Sequence, residues 1–194
     1  MYLSVCPERF LEKTKNYIRE VLQGFQCNLD KIVVLNQPFD VNNPRRSMKF
    51  FDNPKAIIVD RDPRDVYLLL KRGLSFTYSF IPSGSVDDFI KYYLLNRVMN
   101  NYSEDEDILR IRYEDMIYQY NEVCEKVISF LGLDESRWMK GTCFDPEVSI
   151  NNTQLFKRFP EYMEDIKRIE QEMPEYLYPF EQFIVKPTYD SAIF

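Results

Sequence analysis

The sequence contains no histidine. That removes imidazole metal sites, serine–histidine and cysteine–histidine nucleophile pairs, and a histidine general base in one step. Glycine is nearly as scarce. Only Gly24, Gly73, Gly84, Gly132 and Gly141 occur in 194 residues, and none opens a G-x-x-x-x-G-K-[ST] phosphate loop. The four cysteines, Cys6, Cys27, Cys124 and Cys143, form no CxxC pair, so they read as reduced, mostly buried thiols. No run approaches the ~20 apolar residues of a membrane span, and Met1 to Val5 lacks the basic flank of a signal peptide. The expected compartment is the cytoplasm.

Hydrophobic residues make up 45% of the chain and charged residues 29%, a globular composition that fits one domain over residues 1–194. Aromatic residues reach 15%, with 14 Tyr and 15 Phe, so ring packing is expected to dominate the core. The net charge of −6 argues against nucleic acid or anionic lipid as a partner. That charge is uneven, because Arg45 to Arg72 holds eight Lys or Arg against four Asp, a local balance of +4. Such a cluster is either an anion site or a solvated face.

Pro7 to Gly24 has helical apolar spacing, with Pro7 suited to a first turn and Gly24 to the C-terminal end. Lys31 to Asn36 (KIVVLN) reads as a buried parallel strand, Pro44 to Phe51 as a helix, and Lys55 to Asp60 (KAIIVD) as a second strand. Strand, helix, strand is a βαβ signal, which puts ligand sites at the carboxyl ends of the strands. A helix from Pro63 follows, then one over Val86 to Asn100 capped by Ser85, and a strand over Ile108 to Arg112. Asp115 to Leu131 reads as a helix closed by Gly132, and Pro160 to Met173 as the last helix.

The sharpest motif is AIIVDRDPRDVYLLLKR, Ala56 to Arg72. A strand ends, Arg61 and Arg64 flank a proline, and a helix begins. Free N–H groups at a helix N-terminus and a planar guanidinium both suit a phosphate or sulfate. The competing reading is a surface arginine paired with Asp62 or Asp65.

This segment resembles the 3′-phosphate-binding region of sulfotransferases that use 3′-phosphoadenosine 5′-phosphosulfate (PAPS). LRIRYEDMIYQYNEVCEKVISFLGLD, Leu109 to Asp134, is similar to that family's strand, Tyr-Glu-Asp turn and following helix. INNTQLFKRFPEYMEDIKRIEQEMPEYLYPF, Ile150 to Phe180, resembles its late loop and closing helix. The match runs from about residue 31 to 180. It implies an α/β, three-layer P-loop-like fold with a mainly parallel sheet. It also implies sulfuryl transfer from PAPS to an acceptor hydroxyl or amine, leaving 3′-phosphoadenosine 5′-phosphate (PAP). The acceptor would be a small molecule or a carbohydrate.

By this resemblance Arg61 binds the 3′-phosphate, Arg64 supports the loop in an ion pair with Asp65, and Asn152, Gln154 and Lys157 lie in the late phosphate-binding loop. The family's serine, eight positions after the arginine, is replaced by Leu69, which is expected to face the core. Lys71, Arg72 or Ser75 would have to compensate. Lys157 and Arg158 read equally well as an exposed basic pair. In Tyr113, Glu114 and Asp115, a helix cap at Asp115 is favoured over a catalytic acid.

The family's N-terminal phosphate loop and first strand have no counterpart before Lys31, so the domain is expected to be incomplete or completed by a partner. With histidine excluded, Asp40 in LNQPFD is the candidate base, against a turn carboxylate beside Pro38. No metal is expected. Two other readings stand beside this one: a non-catalytic or truncated remnant that acts as a binding module, and a phosphoryl-transferring relative of the P-loop kinases, which would need a Walker-type loop.

Overall fold

The computed structural model describes residues 7–38, 43–73, 81–82, 84–98, 105–139 and 144–189. Asp40 and Ser75 lie outside them, as do Cys6 and Cys143. The chain divides into two compact units, Met1–Ala56 with Met99–Ile108, and Ile57–Val98 with Leu109–Phe194.

In the first unit, α1 (Pro7–Gly24) has the bounds that its proline and glycine predict, but it carries no buried residue. Its ties are Phe10 edge-on to Phe50 at 6.2 Å and Arg19 Nε to the Asp52 carboxylate at 2.7 Å. Asn43 caps α2 (Pro44–Met48), where Pro44 and Met48 are buried. Arg45 reaches the acidic loop, donating to Asp105 and, at 3.0 Å, to Asp107.

Lys31 to Asn36 is not a strand, contrary to its apolar, β-branched pattern. Val34 is 87% exposed and Ile32 is 59% exposed. A strand needs a ladder partner for its N–H and C=O groups, and the only sheet among the described residues has two strands, neither of them this segment.

Those strands are β1 (Ala56–Asp60) and β2 (Ile108–Arg112). Ala56 N–H bonds to Asp107 O at one end, and Tyr113 N–H to Asp60 O at the other. Both pairs ascend together, so the strands are parallel. The chain is therefore a mixed helix and sheet protein of α/β character, with eight α-helices among the described residues. None of them is long and apolar enough to cross a membrane.

In the second unit β1 leads straight into α3 (Pro63–Lys71), capped by the Asp62 carboxylate on the Arg64 N–H. In α4 (Val86–Val98), Ser85 Oγ accepts from the Asp88 N–H and donates to its carboxylate, as the sequence predicts.

The single helix expected over Asp115 to Leu131 is two, α5 (Asp115–Tyr118) and α6 (Tyr120–Leu131), broken at Gln119. Asp115 does not cap α5. Its carboxylate is taken by the Tyr178 hydroxyl at 2.8 Å and the Gln119 amide at 3.1 Å. Gly132 ends α6 at φ +65°, where a Cβ would be strained.

After α7 (Pro146–Ser149) come the late loop and α8 (Met163–Glu172), which begins three residues later than its proline predicts because Pro160–Tyr162 winds as a 3₁₀ turn. The core is aromatic, as composition requires. Tyr67, Leu68 and Leu69 of α3 pack with Phe89 and Tyr93 of α4, Leu155 and Phe156 of the late loop, and Ile166 and Ile169 of α8. Each large apolar side chain so enclosed contributes roughly 1.5–3 kcal/mol.

Candidate anion-binding site

β1 ends on Asp60, and the next two residues turn into α3. Asp60 is itself an acceptor for Arg97 and Arg110 at the strand's carboxyl end. Arg61, half-buried, extends its guanidinium 4.6 Å over the Tyr113 ring. Its Nη2 donates to the main-chain oxygen of Asn152, 91 residues later. Its Nε is buried and has no hydrogen-bond partner among the described residues. An enclosed guanidinium N–H without an acceptor is costly, and an anionic oxygen is the acceptor that suits it best.

Three fully buried carboxylates stand behind Arg61. Asp62 accepts from the Tyr178 N–H at 2.8 Å and from the Arg64 guanidinium at 2.7 Å. Glu114 accepts from the Asp62 N–H at 2.8 Å, and its second oxygen lies 3.7 Å from Arg112 Nε. Asp65 accepts from the N–H groups of Gln154 at 2.8 Å and Phe156 at 3.4 Å. Burial pushes the Asp65 carboxyl up to about 8, against the pull of Arg61 and Arg64 and with the push of Asp62 and Glu114. Burial also raises Glu114, and it raises the Tyr113 phenol, where Arg61 and a hydrogen bond from Asn152 work the other way.

The late loop is two 3₁₀ turns, Ile150–Asn152 and Leu155–Lys157, joined through Thr153 and Gln154. Gln154 sits at φ +54°, a conformation for which glycine would be the usual choice. The bonds made by Asp65, and a Gln154 amide donating to the Tyr118 hydroxyl at 3.0 Å, hold it there. From the other side the Tyr189 N–H bonds to Asn151 Oδ1 at 2.7 Å, and the Tyr189 hydroxyl to Gln154 O at 2.8 Å.

The expected site residues therefore divide. Arg61 and Asn152 meet. Arg64 does not pair with Asp65; it is 6% exposed and bonds to Asp62 and Glu170, with Phe156 beneath it at 4.0 Å. Adjacent helical residues point about 100° apart, so an Arg64–Asp65 pair was geometrically disfavoured. Lys71 is in the last turn of α3, about 12 Å along the axis from its start. Its Nζ donates to Gly84 O at 3.2 Å, so it is not brought to Arg61. Lys157 is exposed and bonds to the Gln154 side chain. Leu69 is buried in the core, as expected.

Sequence reasoning did not find Asp65 as the clamp of the late loop, Glu114 as the acceptor for the Asp62 N–H, or Tyr189 as its outer strap. The signal for the first was present: a carboxylate directly after an arginine in a helical first turn, with no capping duty of its own. Comparison with family models, curated proteins and solved structures gives no match for the chain.

Proposed function

We propose that this chain carries the 3′-phosphate-recognition part of a PAPS-using, sulfotransferase-like site, on a three-layer P-loop-like scaffold. One observation supports the reading above the others. Arg61 and Asn152, which the resemblance assigns to the same phosphate from opposite halves of the sequence, lie in hydrogen-bond contact. The buried Nε–H of Arg61, without a partner among the described residues, is a donor that suits a phosphate oxygen. In this reading Arg61 holds the 3′-phosphate and the late loop offers main-chain and amide groups beside it. Arg64 and Asp65 position both segments without touching the ligand.

Bound PAPS would supply an activated sulfuryl group, and an acceptor hydroxyl or amine would lose a proton as it gained that group. The described residues here bind and orient. They do not include Asp40, the base proposed from sequence.

A second reading, a non-catalytic binding module, is favoured by a specific feature. Asp62 and Arg64 satisfy each other, and Asp62 and Asp65 are satisfied by the surrounding main chain, as in a structural network.

Calorimetric titration of the chain with PAP, with AMP as control, tests the proposal. Selective binding of PAP supports 3′-phosphate recognition. A folded chain that binds neither, or both alike, refutes it.

A further inference from the structure

Between the late loop and the C-terminal segment lies a cleft of about 390 Å³, within the range that small-ligand sites occupy. Its aromatic side is Phe183, half-buried, backed by Phe180, which is 3% exposed and belongs to the core. Phe183 is held by stacking on Tyr118 at 4.8 Å and on Tyr178 at 5.7 Å, and Phe180 meets Tyr178 edge-on at 5.0 Å. Interlocked in this way, Phe183 is an aromatic surface that is already ordered before a ligand arrives. Ile184, on the same cleft, is 96% exposed, an apolar side chain with nothing over it.

The polar side of the cleft is cationic. Lys157 and Lys186 line it against one carboxylate, Glu181, a local balance of +1. Lys157 is steered by its bond to Gln154 Oε1, and Lys186 has no ion-pair or hydrogen-bond partner among the described residues. An aromatic wall beside two lysines suits a flat ring with an anionic substituent. The single carboxylate disfavours a multiply charged group and so favours a monoanion such as a sulfonate, sulfate ester or carboxylate.

We propose that this cleft is a binding site for a small aromatic monoanion, with its ring against Phe183 and Ile184 and its charge on Lys157 and Lys186. The proposal goes beyond the cofactor reading and does not rest on it. It reassigns Lys157 from the 3′-phosphate to a second, neighbouring ligand.

The test is calorimetric titration of the full chain with naphthalene-2-sulfonate, with 2-naphthol as the uncharged ring and methanesulfonate as the bare monoanion. Saturable binding of the sulfonate is expected, tighter than of either part. The double variant Lys157→Gln, Lys186→Gln should weaken it about tenfold, the scale of losing exposed charge-assisted contacts. It should leave 2-naphthol unchanged. Lys186→Glu alone, on a side chain that holds nothing else in place, should act in the same direction. Arg61→Ala should not alter sulfonate binding, which separates this site from that of PAP. The proposal is overturned if the sulfonate shows no saturation, if the double variant binds it as the wild type does, or if Arg61→Ala abolishes binding.

Discussion

The Asp65 carboxylate accepts the main-chain N–H of Gln154 at 2.8 Å across 89 residues of sequence. One buried acid on the first turn of α3 thereby fixes the left-handed residue of the late loop. The same contact sets a pH dependence. The carboxyl is raised from 3.8 to about 8, chiefly by burial, so the folded chain retains a proton that the unfolded chain has lost. Its contribution to stability is complete below about pH 4 and declines as pH rises toward 8, by up to ~1.4 kcal/mol per pH unit. Urea unfolding between pH 4 and 8 should show this slope, and Asp65→Asn should flatten it. An unchanged slope in the variant would show that Asp65 is ionised in the native state.

Arg61 and Arg64 stand three residues apart and should fail differently. Arg61→Ala removes one contact to a main-chain oxygen and one ring contact at a half-buried position. A stability loss of about 1 kcal/mol is expected, with PAP binding weakened by ~1.5–3 kcal/mol, the range for a hydrogen bond to a charged group. Calorimetry on a variant that still unfolds cooperatively checks both numbers. Unaltered PAP affinity would remove Arg61 from the site.

Arg64→Met removes both the guanidinium that lies over Phe156 and the charge that compensates Asp62, which is fully buried. Breaking one side of a buried pair costs about 3–5 kcal/mol, so this variant should be clearly less stable than Arg61→Ala. Glu170→Gln should cost under ~1 kcal/mol, because the Glu170 side chain is 39% exposed and the Asp62 pair survives. Equal losses in the two variants would show that Glu170, not Asp62, is the partner that matters.

The local elements were legible where one residue type dictates the backbone. Pro63, Ser85 and Gly132 mark helix ends that the structure keeps, and the β-branched runs of β1 and β2 form the ladder. The site was legible only as a pair of motifs. The resemblance set Arg61 and Asn152 beside one phosphate, but their direct hydrogen bond was not read from the sequence. The Arg64–Asp62 pair was one of two pairings open to the segment, and it is buried rather than at the surface because of where Glu170 and Phe156 pack. Gln154 was misleading for a related reason. The loop lacks glycine, yet it takes a left-handed residue because Asp65 and Tyr118 bind it from outside the segment.

Lys31 to Asn36 offers the cleanest test of pattern against packing. Its composition is that of a buried strand, and a charge placed in a buried strand costs several kcal/mol. In the structure Val34 is 87% exposed and the segment makes no ladder. Val34→Asp should therefore change unfolding free energy by no more than about 0.5 kcal/mol, the usual range for a surface site. Val66→Asp, at a 6% exposed position of α3, should abolish cooperative folding. If Val34→Asp proved as damaging as Val66→Asp, the apolar run would have to be buried in the folded chain in solution, and its reading as a strand would be restored.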